Sequence, residues 1–112
     1  MATDSPDLQQ KIDRWKTFVE RDPDNPLHNF ALAGAYLQAA DYENGAAAYA
    51  RCLELDARWM VAAIKRGRCL IELKRWDEAR EAIDLGAQLA TEQDHEEPFE
   101  EIRELRDQIP GE

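Results

Sequence analysis

Few side chains in this sequence have the type and spacing that would support chemistry. The two histidines, His28 and His95, are far apart, and neither has a serine or cysteine partner at the spacing that nucleophilic catalysis uses. Asp22, Asp24 and Asn25 offer oxygen atoms spaced as in part of a calcium-binding loop, but the glycine and the distal glutamate that such a loop needs are missing. We therefore predict no catalytic residues, no metal ligands and no cofactor, and we do not expect an enzyme.

The charged residues indicate a solvated, acidic surface with one basic zone. The net charge of −10 argues against a nucleic-acid partner, because phosphate binding needs a basic face. The paired acids Glu96–Glu97 and Glu100–Glu101 fall on a predicted helix face and not in a cleft, so an acid–base role is not expected. The basic zone covers residues 58–81, and its bases are Arg58, Lys65, Arg66, Arg68, Lys74, Arg75 and Arg80. We interpret this distribution as a surface that keeps the protein soluble.

The cysteines and the hydropathy pattern indicate a cytoplasmic protein. Cys52 and Cys69 both fall on inward helix positions, which predicts two free, buried thiols in a reducing compartment. A disulfide between adjacent helices is the alternative, and a metal site is not expected because no further cysteine or histidine clusters around them. No stretch has the features of a signal peptide, and no apolar run approaches the roughly 18 residues of a membrane span. We expect no membrane association.

The elements that must position these side chains recur along the chain. At a shift of 34 residues the sequence matches itself, with large apolar residues meeting large ones and small residues meeting small ones. The matched pairs are Tyr36 and Leu70, Tyr42 and Trp76, Gly45 and Ala79, Tyr49 and Ile83, Cys52 and Gly86, and Leu55 and Leu89. A fixed period of this length indicates a solenoid, in which each repeat buries its apolar face against its neighbours.

The spacing inside each period resembles that of the tetratricopeptide repeat. The signature positions in the first period are Leu32, Ala33, Tyr36, Tyr42, Gly45, Tyr49, Cys52 and Leu53. One period later they are Arg66, Gly67, Leu70, Trp76, Ala79, Ile83, Gly86 and Ala87. The sequence departs from the family pattern at some positions; for example, Ala57 replaces the closing proline of the first repeat. The resemblance implies an all-α, right-handed superhelix of antiparallel helix hairpins.

Six helices are predicted, and no strand is expected because no segment alternates with period two. We predict a single domain over residues 1–112, with full repeats at residues 26–59 and 60–93. Residues 5–22, with a cap at Asp4 or Ser5, would form an N-terminal capping helix or half repeat. Residues 96–109 would form a C-terminal solvating helix, since two repeats alone are too few for a stable array. Small residues such as Gly67 and Gly86 are expected where helices cross.

The second predicted helix, residues 26–40, is apolar nearly all round. Its only polar side chains after Leu27 are His28, Asn29 and Gln38, whereas a surface helix ordinarily has a polar face. In the fold that the chain resembles, the first helix of each repeat lines a concave groove. The resemblance therefore implies a partner-binding groove lined by Leu27, Phe30, Gly34, Leu37, Val61, Ile64, Lys65, Arg68 and Ile71. Phe30, Leu37, Ile64 and Ile71 would form its apolar floor, and Lys65 and Arg68 a basic spot.

The sequence thus predicts a non-enzymatic module that binds a protein or peptide, such as an amphipathic helix, in this groove. One alternative is self-assembly, in which a helix of a second copy fills the groove and gives a homodimer or a larger oligomer. Another is that the chain's own first or last helix fills it. The class that holds a terminal carboxylate with lysine, asparagine and arginine side chains is not matched, because Phe30 and Gly34 occupy two of those places. Lys65 and Arg68 are still expected to be able to hold one carboxylate.

Overall fold

The computed structural model describes residues 6–111, and within them the chain forms six α-helices and no strand. The helices are α1 (Pro6–Arg21), α2 (Pro26–Gln38), α3 (Tyr42–Leu55), α4 (Met60–Glu72), α5 (Trp76–Glu92) and α6 (Pro98–Asp107). The predicted all-α fold is confirmed, while the predicted cap at Asp4 or Ser5 lies outside the described residues. None of these helices combines the length and the apolar composition that crossing a membrane requires.

Each helix packs mainly against its neighbours in the sequence. The short turns make α2 and α3 one hairpin and α4 and α5 the next, and α3 also packs against α4 to join the two hairpins. At the ends, α1 covers α2, and α6 packs against α5 and touches α4. The core follows this order, with Tyr49, Leu70 and Ile83 fully buried along its length.

Two residues after the last residue of three helices, the chain has a left-handed residue that is not glycine. Ala40 and Lys74 have φ of 59° and Asp94 has φ of 61°. In the first of these turns the N–H of Asp41 donates to the carbonyl of Tyr36 at 2.9 Å, which satisfies a carbonyl that the helix end leaves free. This turn ends α2 at Gln38, earlier than the predicted end at Ala40. Ala40 and Lys74 are one period apart, so the turn within each hairpin is repeated as well as the helices.

Glycines allow α4 and α5 to approach closely, as predicted. A Cβ added at Gly67 would lie 2.6 Å from Cγ1 of Ile83, and one added at Gly86 would lie 2.6 Å from Cγ1 of Ile64. Each isoleucine therefore fills the space that the glycine of the opposite helix leaves open. This reciprocal contact sets the register of the hairpin, because a one-residue shift would place a side chain against a side chain.

Candidate partner-binding groove

The residues of α2 that were expected to line the groove differ widely in exposure. Leu27, in the first turn, is 71% exposed, whereas Gly34 and Leu37 are half-buried. The half-buried Phe30 stacks on Trp59, with ring centroids 4.7 Å apart and planes tilted by 16°. Phe30 also meets Tyr49 edge-on at 5.7 Å. It is therefore part of an aromatic wall that joins α2 to the residue preceding α4.

Packing on two sides explains much of the apolar character of α2. The helix lies between α1 and α3 and buries Leu32, Ala33 and Ala35. Its buried polar residue, Asn29, is satisfied locally, because the side-chain amide donates to the carbonyls of Pro23 at 3.0 Å and Asn25 at 2.8 Å. An all-round apolar helix is what such a sandwiched position requires. Only the start of α2, around Leu27, leaves a large apolar side chain mostly exposed.

On α4, the structure differs from the expected apolar floor. Ile64 and Ile71 are 3% and 6% exposed and belong to the core, so they offer almost no surface to a partner. For Ile64 the reason is the Gly86 crossing, which draws its side chain toward α5. Val61, one turn earlier, is 37% exposed. The exposed apolar surface of α4 is therefore centred on its first turn.

The predicted basic spot on α4 is occupied by a carboxylate of the same chain. Oε2 of Glu101, on α6, lies 3.7 Å from Nζ of Lys65 and 3.8 Å from Nη1 of Arg68. This oxygen is buried and has no hydrogen-bond donor among residues 6–111. The three side chains are between 30% and 51% exposed. The carboxylate beside Lys65 and Arg68 therefore comes from the last helix of the chain, whereas the expectation was a carboxylate of a partner.

The wider basic zone is neutralised in the same way. Arg58 pairs with Glu92 at 2.9 Å, and Arg75 pairs with Glu43 at 2.8 Å. The hydrogen bond from Arg75 to Glu43 raises the pKa of the guanidinium. Arg66 and Arg80 also have acidic partners. Of the seven bases, Lys74 alone has no ion pair within the part of the chain that the structure describes.

A cleft of about 400 Å³ opens between the first half of α4 and the start of α6. One side consists of Met60, Val61, Ile64 and Lys65, and the other of His95, Glu97, Pro98 and Glu101. The sequence reasoning missed Met60, Trp59 and the α6 residues as parts of this face. An aromatic residue immediately before α4 was a signal for Trp59, whereas nothing in the acidic run distinguished Glu101 from its neighbours.

The remaining chemistry-bearing residues are held by packing. Cys52 and Cys69 are free and fully buried, and burial raises the pKa of each thiol to about 11, so they are poor nucleophiles. Burial also raises the pKa of Tyr49. His28 packs against Trp15 and Phe18, with ring centroids 5.9 and 5.3 Å away. Among the described residues, no three histidine, cysteine or acidic side chains come together as a metal site.

Comparison with known proteins agrees with this architecture. A family model described as anaphase-promoting complex, cyclosome, subunit 3 matches residues 13–85. Among solved structures, the chain superimposes on the TPR2B domain in the TPR2B-domain:pHsp70 complex of yeast Sti1 with a TM-score of 0.83 and 18% identity. That match covers 92% of this chain and 82% of the other. No curated protein matches the sequence. Because the family match spans well over half of the chain, this is a tetratricopeptide-repeat protein that belongs to the anaphase-promoting complex, cyclosome, subunit 3 family.

Proposed function

We propose that this protein binds a protein or peptide segment across the exposed sides of α2, α4 and α6, with its main apolar anchors at the first turns of α2 and α4, a face that we call the groove. One observation carries the proposal. Of the three large apolar side chains that are exposed in the described residues, two occupy the same position of successive repeats, Leu27 in α2 and Val61 in α4. Two exposed anchors in register are what a partner segment that spans neighbouring repeats would use.

The aromatic wall adds a rigid surface between these anchors. Phe30 and Trp59 are stacked and only half-buried, so a partner side chain has a flat apolar surface on which to pack. The cleft beside Val61 then provides a recess for one anchor of an amphipathic helix. Of the groove residues predicted from the sequence, we assign seven to this interface: Leu27, Phe30, Gly34, Leu37, Val61, Lys65 and Arg68.

The comparisons support a binding module rather than an enzyme. The chain shares the fold of a domain whose structure is that of a complex with pHsp70, and the family and the fold are those of interaction modules. We also propose that the protein is non-enzymatic and cytoplasmic. Its proposed domain organisation is a cap at residues 5–22, repeats at 26–59 and 60–93, and a solvating helix at 96–109. A second copy as the partner, giving a homodimer, is the competing arrangement.

The test is a set of matched apolar-to-acid substitutions, measured on a partner recovered by affinity capture. Leu27→Asp and Val61→Asp should each weaken binding by about tenfold or more, because burying an aliphatic side chain contributes roughly 1.5–3 kcal/mol. Ala47→Asp on the exposed surface of α3 is the control, and it should leave the affinity unchanged. Phe30→Ala is a poorer probe, since it also removes the contact with Trp59.

An affinity that falls with Ala47→Asp but not with the two groove substitutions would refute the proposal. Light scattering on the free protein addresses the second-copy arrangement separately. A dimer that Val61→Asp dissociates would show that the groove serves self-assembly.

A further inference from the structure

The charges around the groove have a consequence for its partner. We infer that the partner is a segment with lysine or arginine next to its apolar anchors, and that the groove does not accept a carboxylate. The inference rests on the proposed function, because it concerns the same face of α4 and α6. It follows from three observations: the cations are already paired, the acids beside them are not, and the whole chain is acidic.

A carboxylate of the same chain already lies between the two cations of the groove. Lys65 and Arg68 both face Oε2 of Glu101, which is buried between them. A partner carboxylate would have to displace Glu101 or lie beside it, and two like charges at close range repel each other. Its neighbours Ile102 and Leu105 are buried in the core, so the backbone of α6 keeps Glu101 beside the two cations.

The acids of the groove, in contrast, are available. Glu97 lines the larger cleft, while Glu72 and Glu104 line a smaller cleft of about 130 Å³ on the other side of Glu101. All three are exposed, and none has an ion pair within residues 6–111. Two cations therefore face four carboxylates along the line where α4 meets α6. A positively charged group is the complement of such a line.

An apolar anchor and a cation can be accommodated side by side here. The larger cleft has Met60, Val61 and Pro98 as apolar walls and Glu97 at its edge. A side chain that packs against these walls would bring a flanking lysine or arginine toward Glu97. A second copy of the chain is disfavoured, since two molecules of net charge −10 repel each other.

The experiment selects peptides from a random library of about 12 residues displayed on phage, with the full chain as the target. We expect the enriched sequences to combine apolar residues with lysine or arginine. Synthetic copies in which glutamate replaces the basic residues should bind at least about tenfold more weakly. The difference should shrink as salt rises from about 50 to about 500 mM, because exposed charges are screened.

Charge reversals in the protein locate the effect. Glu97→Lys with Glu104→Lys should weaken binding of the basic peptides by about tenfold. The control is Glu20→Lys with Glu81→Lys, which changes the net charge equally at exposed acids on α1 and α5. Glu101→Gln should free Lys65 and Arg68 and increase the affinity for the glutamate-substituted peptides.

The outcomes separate this inference from the proposed function. If the enriched peptides are acidic but bind the Leu27→Asp variant more weakly, the proposed groove is supported and the inference of a basic partner is refuted. Equal weakening by the control pair would show attraction by net charge alone, which also overturns it. If no peptide is enriched, or if a dimer occupies the groove, the inference fails as well. If the enriched peptides bind the Leu27→Asp and Val61→Asp variants as tightly as the parent protein, both the inference and the proposed function are refuted.

Discussion

Replacing Gly67 with alanine tests the close contact between α4 and α5 against helix propensity. In an exposed helix, alanine is about 1 kcal/mol more favourable than glycine. At this position the new methyl carbon would lie 2.6 Å from Cγ1 of the fully buried Ile83, whereas carbon atoms prefer about 3.5–4 Å. Ile83 would have to retreat by about 1 Å within a close-packed core, and overpacking of this kind costs about 1–3 kcal/mol.

Gly34 provides the matched control within the same chain. An added Cβ there would meet nothing nearer than the hydroxyl of Tyr49 at 3.9 Å, which is an ordinary contact. Gly34→Ala should therefore gain most of the stability that the higher helix propensity of alanine provides, and this gain is common to both substitutions. The difference between the two variants isolates the steric conflict, and we expect Gly67→Ala to be less stable than Gly34→Ala by about 1–3 kcal/mol.

Urea unfolding followed by circular dichroism measures this difference, provided that the m-values of the variants agree. The melting temperatures should differ by about 4 °C for each kcal/mol. Gly67→Leu extends the same conflict and should destabilise the protein further. If Gly67→Ala proves as stable as Gly34→Ala, then Ile83 does not fill the space over Gly67 and the register of this hairpin is wrong.

Two further predictions concern the ends of the array and its core. Deleting residues 95–112 removes Ile102 and Leu105 from the core, so we expect aggregation or a loss of cooperative melting; a sharp transition in the truncated chain would contradict this role for α6. Because burial raises the pKa of Cys52 and Cys69 from about 9 to about 11, stability should be fully present below pH 9 and fall as the pH rises toward 11. Urea titrations across this range should show a shallower fall when both cysteines are replaced by alanine.

The architecture could be predicted because it depends on local patterns that recur. The period of 34 residues, the helical spacing of apolar residues and the small residues at helix crossings all lie within one or two hairpins. The reciprocal contacts of Gly67 with Ile83 and of Gly86 with Ile64 confirm the predicted crossings. The ends of α2 and α4 were less predictable, because Ala40 and Lys74 adopt a left-handed conformation that favours glycine.

The groove was harder to predict because residues assigned to the same face differ widely in exposure. Leu27 and Ile64 were both assigned to the groove, yet Leu27 is 71% exposed and Ile64 is 3% exposed. What decides between them is the neighbouring helix: Ile64 finds an open space at Gly86, whereas Leu27 begins its helix with nothing packed over it. Such differences in exposure depend on which side chains meet where two helices cross, and a repeat pattern does not contain that information.

The sequence by itself determined the repeat, the six helices, the buried thiols and the acidic character, because each follows from the type and spacing of nearby residues. Only the tertiary structure decided which charges remain free. From the sequence, Lys65 and Arg68 were predicted to form a basic spot. In the structure, α6 places Glu101 within 3.7 Å of Lys65 and 3.8 Å of Arg68. Ion pairs between distant segments form wherever packing brings opposite charges together, and the order of residues along the chain does not encode that distance.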